Sequence, residues 1–247
     1  MDYLRYYLNT LLVVVAIVGF YLGEQWVWLG ASTYLFLLVL DLMLPNDYKN
    51  RQIRHPFFVD LPLYLHVALM LIMYGTFAWR MKTGFETTTN VNLALLGCFA
   101  SLVWISAVPN LPVAHELMHR RGAFERFLAN IAATFFFDPH RAIGHVHTHH
   151  LHFDTENDSD TPQRGEKFYQ FIWRATKGAY LDTFELEKRR LSVNNKSVWG
   201  PSSLVFWGLV AVFGTPLGIG LYAGVLAGSL TLAVMVTTKF VLEALNY

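Results

Sequence analysis

Six long apolar blocks limit what this chain can fold into. They cover residues 6–22, 27–44, 61–79, 91–111, 202–220 and 221–240, each close to the ~20 residues a helix needs to cross a bilayer core. In hydrocarbon every backbone N–H and C=O must find a partner inside the protein, a demand that helices meet within one segment. Composition agrees: 54% of residues are hydrophobic and 15% charged, against roughly 25% charged in soluble domains. The expected fold class is all-α, a polytopic membrane protein of about six transmembrane helices.

Residues 1–7 do not form a basic leader region and no small-residue cleavage site comes after them, so no signal peptide is expected. The net charge of +1 gives no reason to expect nucleic acid as a partner. Cys98 is the one cysteine, which excludes a disulfide framework or a cysteine-rich zinc or iron–sulfur site within the chain. Neither an internal repeat nor a low-complexity linker interrupts the pattern. Composition shifts once, at the polar segment from about His115 to Gly200, which divides the chain into residues 1–113 (four spans), 114–200 and 201–247 (two spans). Lys49, Arg51 and Arg54 come after the second span, and twelve Lys and Arg lie in the long segment. Cytoplasmic loops are enriched in these residues, so that side is read as cytoplasmic, with Arg80 and Lys82 counting mildly against.

Motifs with chemistry cluster in the polar segment. The first is HELMH, placing His115 and His119 four residues apart. On a helix these lie on one face a turn apart and both imidazoles can reach one metal ion. The HExxH pattern is most familiar from zinc proteases, where the Glu acts as general base. A zinc hydrolase site needs three protein ligands and one open position.

A second box supplies more imidazole than that. HVHTHHLH, residues 145–152, packs five histidines into eight positions. His145 and His149 repeat the four-residue spacing, and His150 sits ~100° further round a helix. Two boxes thus offer five imidazoles, more than one zinc requires. Imidazole-rich, cysteine-free surroundings suit iron. His147 and His152 point off that face and are read as solvent-facing or as neighbours of the ligands. His140 is read as a water-exposed helix N-terminal residue, and His55 and His66 are assigned no role.

An acidic stretch comes next: Asp154, Glu156, Asp158 and Asp160. Metal-bound histidines usually donate their second ring N–H to a carboxylate or carbonyl. These acids and Glu116 are positioned for that, with Asp158 and Asp160 preferred. A cation transporter would account for an HxHxH loop, but it should also carry paired acids or histidines within its spans. Here the interiors hold His66, with Asp41 and Glu243 near span ends and Glu243 one turn from Lys239.

HELMHRR, then HxxxHH, then DSDTPQRGE resembles the integral-membrane non-haem diiron hydroxylases, the group that contains alkane hydroxylase and xylene monooxygenase and is related to the membrane fatty acid desaturases. The likeness is strongest to the xylene branch. It also takes in MDYLRYYL, YLGEQWVWLGA, LDLMLPNDY, VPNLPVAHELMHRR and KFVLEALNY, essentially the whole chain. The resemblance implies a six-span bacterial inner-membrane enzyme whose histidine boxes face the cytoplasm. It implies two non-haem Fe ions held by His115, His119, His145, His149 and His150. O2 would be the co-substrate and a methyl group on a hydrophobic aromatic ring, delivered through the bilayer, the target. An NADH-dependent flavin and iron–sulfur reductase would supply electrons, or a rubredoxin if the chain is of the alkane 1-monooxygenase type. No residue is singled out as catalytic. From other classes, a membrane zinc protease and a metal-ion transporter stay open.

One departure stands out. The family continues past an NY pair with a further histidine and a third box, HxxHH, whereas this sequence stops at Asn246-Tyr247. Since a metal site needs its ligand count to hold its ions, the expectation is a truncated hydroxylase, inactive alone.

Overall fold

The structure, a computed structural model, describes residues 3–46, 48–49, 53–85, 90–146, 150–152, 155 and 158–247, with the side chains of all but His150 and Asn246. Arg51, His147, His149, Asp154 and Glu156 lie outside the described residues, as does the His150 side chain. Among the described residues the regular structure is helical, with no strand. Six stretches are long and apolar enough to span a membrane: Leu4–Leu22, Glu24–Met43, Phe57–Thr83, Val91–Met118, Leu204–Ala223 and Val225–Leu245. The chain is an all-α integral-membrane protein. Two compact units make it up, Met1–Ile105 with Tyr222–Gly224, and Ser106–Leu221 with Val225–Tyr247.

The first unit holds α1 (Leu8–Leu22), α2 (Leu29–Met43), α3 (Phe57–Thr83) and most of α4 (Val91–Ala107). Their lipid-facing sides carry Leu35, Leu42, Leu71 and Leu93, all exposed, which is the outward surface hydrocarbon favours. Polar groups inside the unit close helix ends. Arg80 of α3 donates from Nε to the Phe20 carbonyl at 2.9 Å and from its fork to Tyr21 O, taking up carbonyls that the last turn of α1 leaves over. The chain turns there at Gly23 with φ 77°, and the Arg80 guanidinium occupies the space a Cβ would need. Ser101 of α4 does the same for α2: its hydroxyl donates to Val27 O at 2.6 Å and accepts the Ala31 N–H at 2.9 Å. Close approach of α2 and α4 relies on Gly30, where a Cβ would stand 2.7 Å from that of Ser101, the small-residue packing that membrane helices use.

The second unit holds α5 (Asn110–Met118), α6 (Ala123–Thr134), the short α7 (Arg141–Gly144) and α8 (His150–His152), α9 (Phe168–Ser192), α10 (Leu204–Ala223) and α11 (Val225–Asn246). α5 extends the fourth span after a turn at Val108-Pro109, so this span runs seven residues past the expected end at Leu111. Buried Asn110 ties α5 to α6 by donating to Ala132 O at 2.8 Å. α6 is amphipathic, with Ala129, Ala132 and Ala133 inside and Phe124 and Phe127 outside. The fifth and sixth spans meet at Gly224 (φ 97°) rather than at the expected break between Gly220 and Leu221. Gly220 instead lies within α10, against Gly228 of α11, where a Cβ on Gly228 would meet Pro216 O at 2.7 Å.

Gly30→Val should overpack the α2–α4 contact and cost about 1–3 kcal/mol. Thermal unfolding in nanodiscs would show this as a lowered Tm, and an unchanged Tm would mean that the helices are free to move apart.

Candidate metal centre

α5 buries Val113, Ala114, Leu117 and Met118 and turns His115, Glu116 and His119 to the opposite, exposed face. The helix ends at His119, whose N–H still reaches His115 O at 3.4 Å, so both imidazoles leave one helix turn side by side, their rings edge to face at 65°. Of the second box, the structure describes the start and the end, with residues 147–149 outside the described residues. α7 closes at Gly144 and widens into a π turn at His145 and Val146. Gly144 lets this segment sit against α9, since a Cβ there would stand 3.0 Å from Thr183 Oγ1.

Three ring nitrogens converge. His115 Nε2 is 3.0 Å from His145 Nε2 and 3.3 Å from His119 Nε2. One donor atom from each of the three lies within 4.8 Å of the others. Ligand nitrogens bound ~2.0–2.1 Å from a common ion stand ~3 Å apart, so the spacing fits a metal. Neutral imidazoles packed nitrogen to nitrogen also need a proton or a cation between their lone pairs. Of the five expected ligands the structure therefore brings together three, with His149 and the His150 side chain outside the described residues.

The acids around them divide. Asp160 Oδ2 lies 3.9 Å from His145 Nδ1, on the ring edge away from the cluster. Asp158 is buried and organises the loop: it accepts the Asp160 N–H at 2.9 Å and the Thr161 hydroxyl at 2.5 Å. Glu116 forms a surface pair with Arg120 at 2.8 Å. His152 is exposed at the end of α8.

α9 holds this loop in place. Arg174 grips Glu166 through both carboxylate oxygens at 2.8 Å and donates to Ser159 O and Thr161 O. Ser159 donates to Asp182 at 2.9 Å. Upstream, Phe137 adopts φ 58°, a strained turn whose carbonyl accepts the Tyr180 hydroxyl.

His140 corrects the sequence reading. It is 5% exposed, its ring filling the space over Gly208 of α10. Burial pushes its pKa below the ordinary imidazole value, against the opposing charges of Asp138 and Glu187. Asp138 behaves in the opposite way: burial alone would raise its pKa, but Lys239 and Arg141 beside it hold the carboxyl below its usual range. Sequence reasoning missed Asp138, Arg141, Arg174 and Glu187. Glu187 is buried, takes the Arg190 fork at 2.7 Å and accepts the Leu204 N–H at 2.7 Å, capping α10. The DPHR spacing was one available signal, since Asp138 and Arg141 pair three residues apart.

Beside His119 a groove of about 900 Å³ opens, with Met118, Phe127, Ile143 and Leu186 on its walls and Arg126 and Arg190 at its polar side.

Arg174 hydrogen bonds hold Glu166 below the usual carboxylate range, so the clamp is intact above that range and is lost as pH falls through the lowered value. Arg174→Gln should raise amide exchange across residues 158–166 several-fold and move the acid loosening up toward the ordinary Glu pKa. Unchanged exchange would show that the loop holds itself.

Comparison with known proteins places these features. The model of the fatty acid desaturase family matches residues 89–247, which includes both boxes and the fifth and sixth spans. The xylene/toluene monooxygenase hydroxylase component of Pseudomonas putida is 41% identical over 247 residues, 100% of this chain and 66% of its own length. Alkane 1-monooxygenase 1 of Alcanivorax borkumensis is 28% identical over 236 residues, 89% of this chain and 55% of its own length. An alkane 1-monooxygenase of Acinetobacter baylyi is 29% identical over 231 residues, 87% of this chain and 53% of its own length. The chain thus spans just under two thirds of the first of these relatives and a little over half of the other two. Six apolar spans, two histidine boxes and a family match over more than half of its residues make this chain a member of the fatty acid desaturase family.

Proposed function

We propose that this chain is the hydroxylase body of a membrane-bound non-haem diiron monooxygenase acting on a methyl or alkyl group of a xylene- or toluene-like substrate. The observation that carries the proposal is the meeting of His115, His119 and His145 at 3.0 and 3.3 Å from two separate boxes. Support comes from the 41% identity to a protein named as a xylene/toluene monooxygenase hydroxylase component. By resemblance His149 and His150 join the three as iron ligands.

The chemistry that a bound pair of non-haem irons supplies is reduction of O2 with two electrons and two protons, one oxygen atom entering a C–H bond and the other leaving as water. The chain's own part is geometric. α5 holds His115 and His119 on one face through its buried side, and Asp160 stands 3.9 Å from His145 Nδ1, where its negative charge favours a proton on that nitrogen and leaves Nε2 free to face inward. Arg174 and Asp182 keep the Asp158–Glu166 loop over the site. A hydrocarbon partitions into lipid and reaches the imidazoles along the spans; Met118, Phe127 and Ile143 give it an apolar wall next to His119. We place the boxes on the cytoplasmic face of a bacterial inner membrane, where an NADH-dependent flavin and iron–sulfur reductase delivers electrons. An alkane 1-monooxygenase is the second reading, carried by relatives at 28–29% identity. The zinc protease is disfavoured because Glu116, its would-be base, is paired to Arg120 at the surface.

The test uses the complete gene that encodes this sequence, expressed in membranes. We expect about two irons per chain and NADH-dependent benzylic hydroxylation of xylene when the reductase is added. His149→Ala should remove iron and turnover together, with a smaller loss for His152→Ala. A single tight zinc would overturn the proposal; turnover of octane without xylene would move the chain to the alkane branch.

A further inference from the structure

Outside the histidine set, five ionisable side chains meet in one buried knot. α11 carries Lys239 and Glu243 one turn apart on one face. Lys239 Nζ lies 2.6 Å from Glu243 Oε1 and donates to Asp138 Oδ2 at 2.6 Å. Arg141 spreads its fork across the rest. Its Nη1 is 3.4 Å from Asp138 Oδ2 and 3.6 Å from Glu243 Oε1, and its Nη2 is 3.4 Å from Asp160 Oδ2. That same Asp160 oxygen is the one 3.9 Å from His145 Nδ1. None of the five side chains is more than 9% exposed.

Among the described residues, three carboxylates share two cations here. Arg141 can extend Nη2 to Asp160 only because Lys239 takes up most of the charge of Asp138 and Glu243. A buried carboxylate left without a partner is strongly unfavourable. Without Lys239, the guanidinium is therefore drawn wholly to Asp138 and Glu243 and leaves Asp160. The planar fork is needed as well, since its two separate nitrogens reach Asp138 and Glu243 on one side and Asp160 on the other, whereas a lysine there would carry all its donors on one atom.

We propose that Lys239 and Glu243 of the sixth span are positioning residues for the second histidine box: acting through Arg141, they hold Asp160 against His145 so that its Nε2 faces those of His115 and His119. This rests on the assignment of His145 as a metal ligand under the proposed function. The span thereby contributes to the metal centre without placing any side chain in it.

Long-range charge and positioning act with opposite signs. Removing the Lys239 cation makes the neighbourhood more negative, which by itself tightens the binding of a metal cation. Losing the hold on Asp160 weakens it. The experiment is a Co2+ titration of the metal-stripped full chain in nanodiscs, read by visible absorption of the bound ion. Lys239→Met should weaken Co2+ binding about tenfold, the lower end of what loss of a ligand-orienting partner costs, and shift the absorption bands. Adding Glu243→Gln to it frees Arg141 for Asp160 again and should restore most of the loss. Arg141→Lys, which keeps the charge and loses the fork, should also weaken binding about tenfold.

Binding by Lys239→Met that is equal to or tighter than wild type overturns the proposal, as does a double variant no better than the single one. If Lys239→Met does not accumulate in the membrane, Arg141→Lys decides alone, and unchanged affinity there overturns it. A wild-type chain that takes up no Co2+, or His145→Ala binding as wild type does, removes the ligand assignment itself. Binding lost in His145→Ala but unchanged in Lys239→Met and Arg141→Lys removes the positioning role alone.

Discussion

Burying charge at the edge of a membrane protein is tolerated only where each ion meets its opposite, and the second unit is built around that demand. Asp138, Arg141, Asp160, Lys239 and Glu243 come from separate stretches of chain and are all inside. Any one of them left alone would be costly enough to expel its segment. Together they set the register of α11: a rotation by a single residue, ~100°, would carry Lys239 and Glu243 away from Asp138 and Arg141. The same contacts fix the turn before α7, and so the point at which the second box begins.

Two solvents act on one chain. In the first unit the apolar surface points outward, and the few interior polar groups finish helix ends: Arg80 for α1 and Ser101 for α2. In the second unit the polar helix α9 does the organising, gripping the acidic loop through Arg174 and capping α10 through Glu187. Imidazoles gather on α5, at the end of the fourth span, between apolar helix and polar segment.

The spans and the first box were legible because hydropathy and a four-residue spacing are local signals. The whole of the fourth span was not, since the apolar run gives way at Leu111 to the polar HELMH, although α5 carries the helix on to Met118. The turn between the fifth and sixth spans was displaced to Gly224 for a reason invisible in hydropathy: Gly220 is needed for the close approach to Gly228. His140 misled because DPHR reads as a polar turn, whereas the ring is packed over Gly208 of α10, sixty-eight positions later. The Lys239–Glu243 pair was read from its spacing, but its partners Asp138 and Arg141 lie about a hundred residues upstream. Spacing within a helix cannot reveal contacts of that range.

Because two of the five side chains in the charge knot are carried by α11, the order of synthesis matters for the site. The boxes and Asp160 leave the ribosome well before Lys239, on the order of ten seconds earlier at 5–20 residues per second. During that interval Asp138 and Arg141 have no Lys239 or Glu243 to meet and must stay hydrated. The sixth span therefore acts as a latch: its insertion dries the knot and sets Asp160 against His145. Until that insertion, nothing on α11 holds the turn that carries Asp138 and Arg141, and the start of the second box has no fixed register.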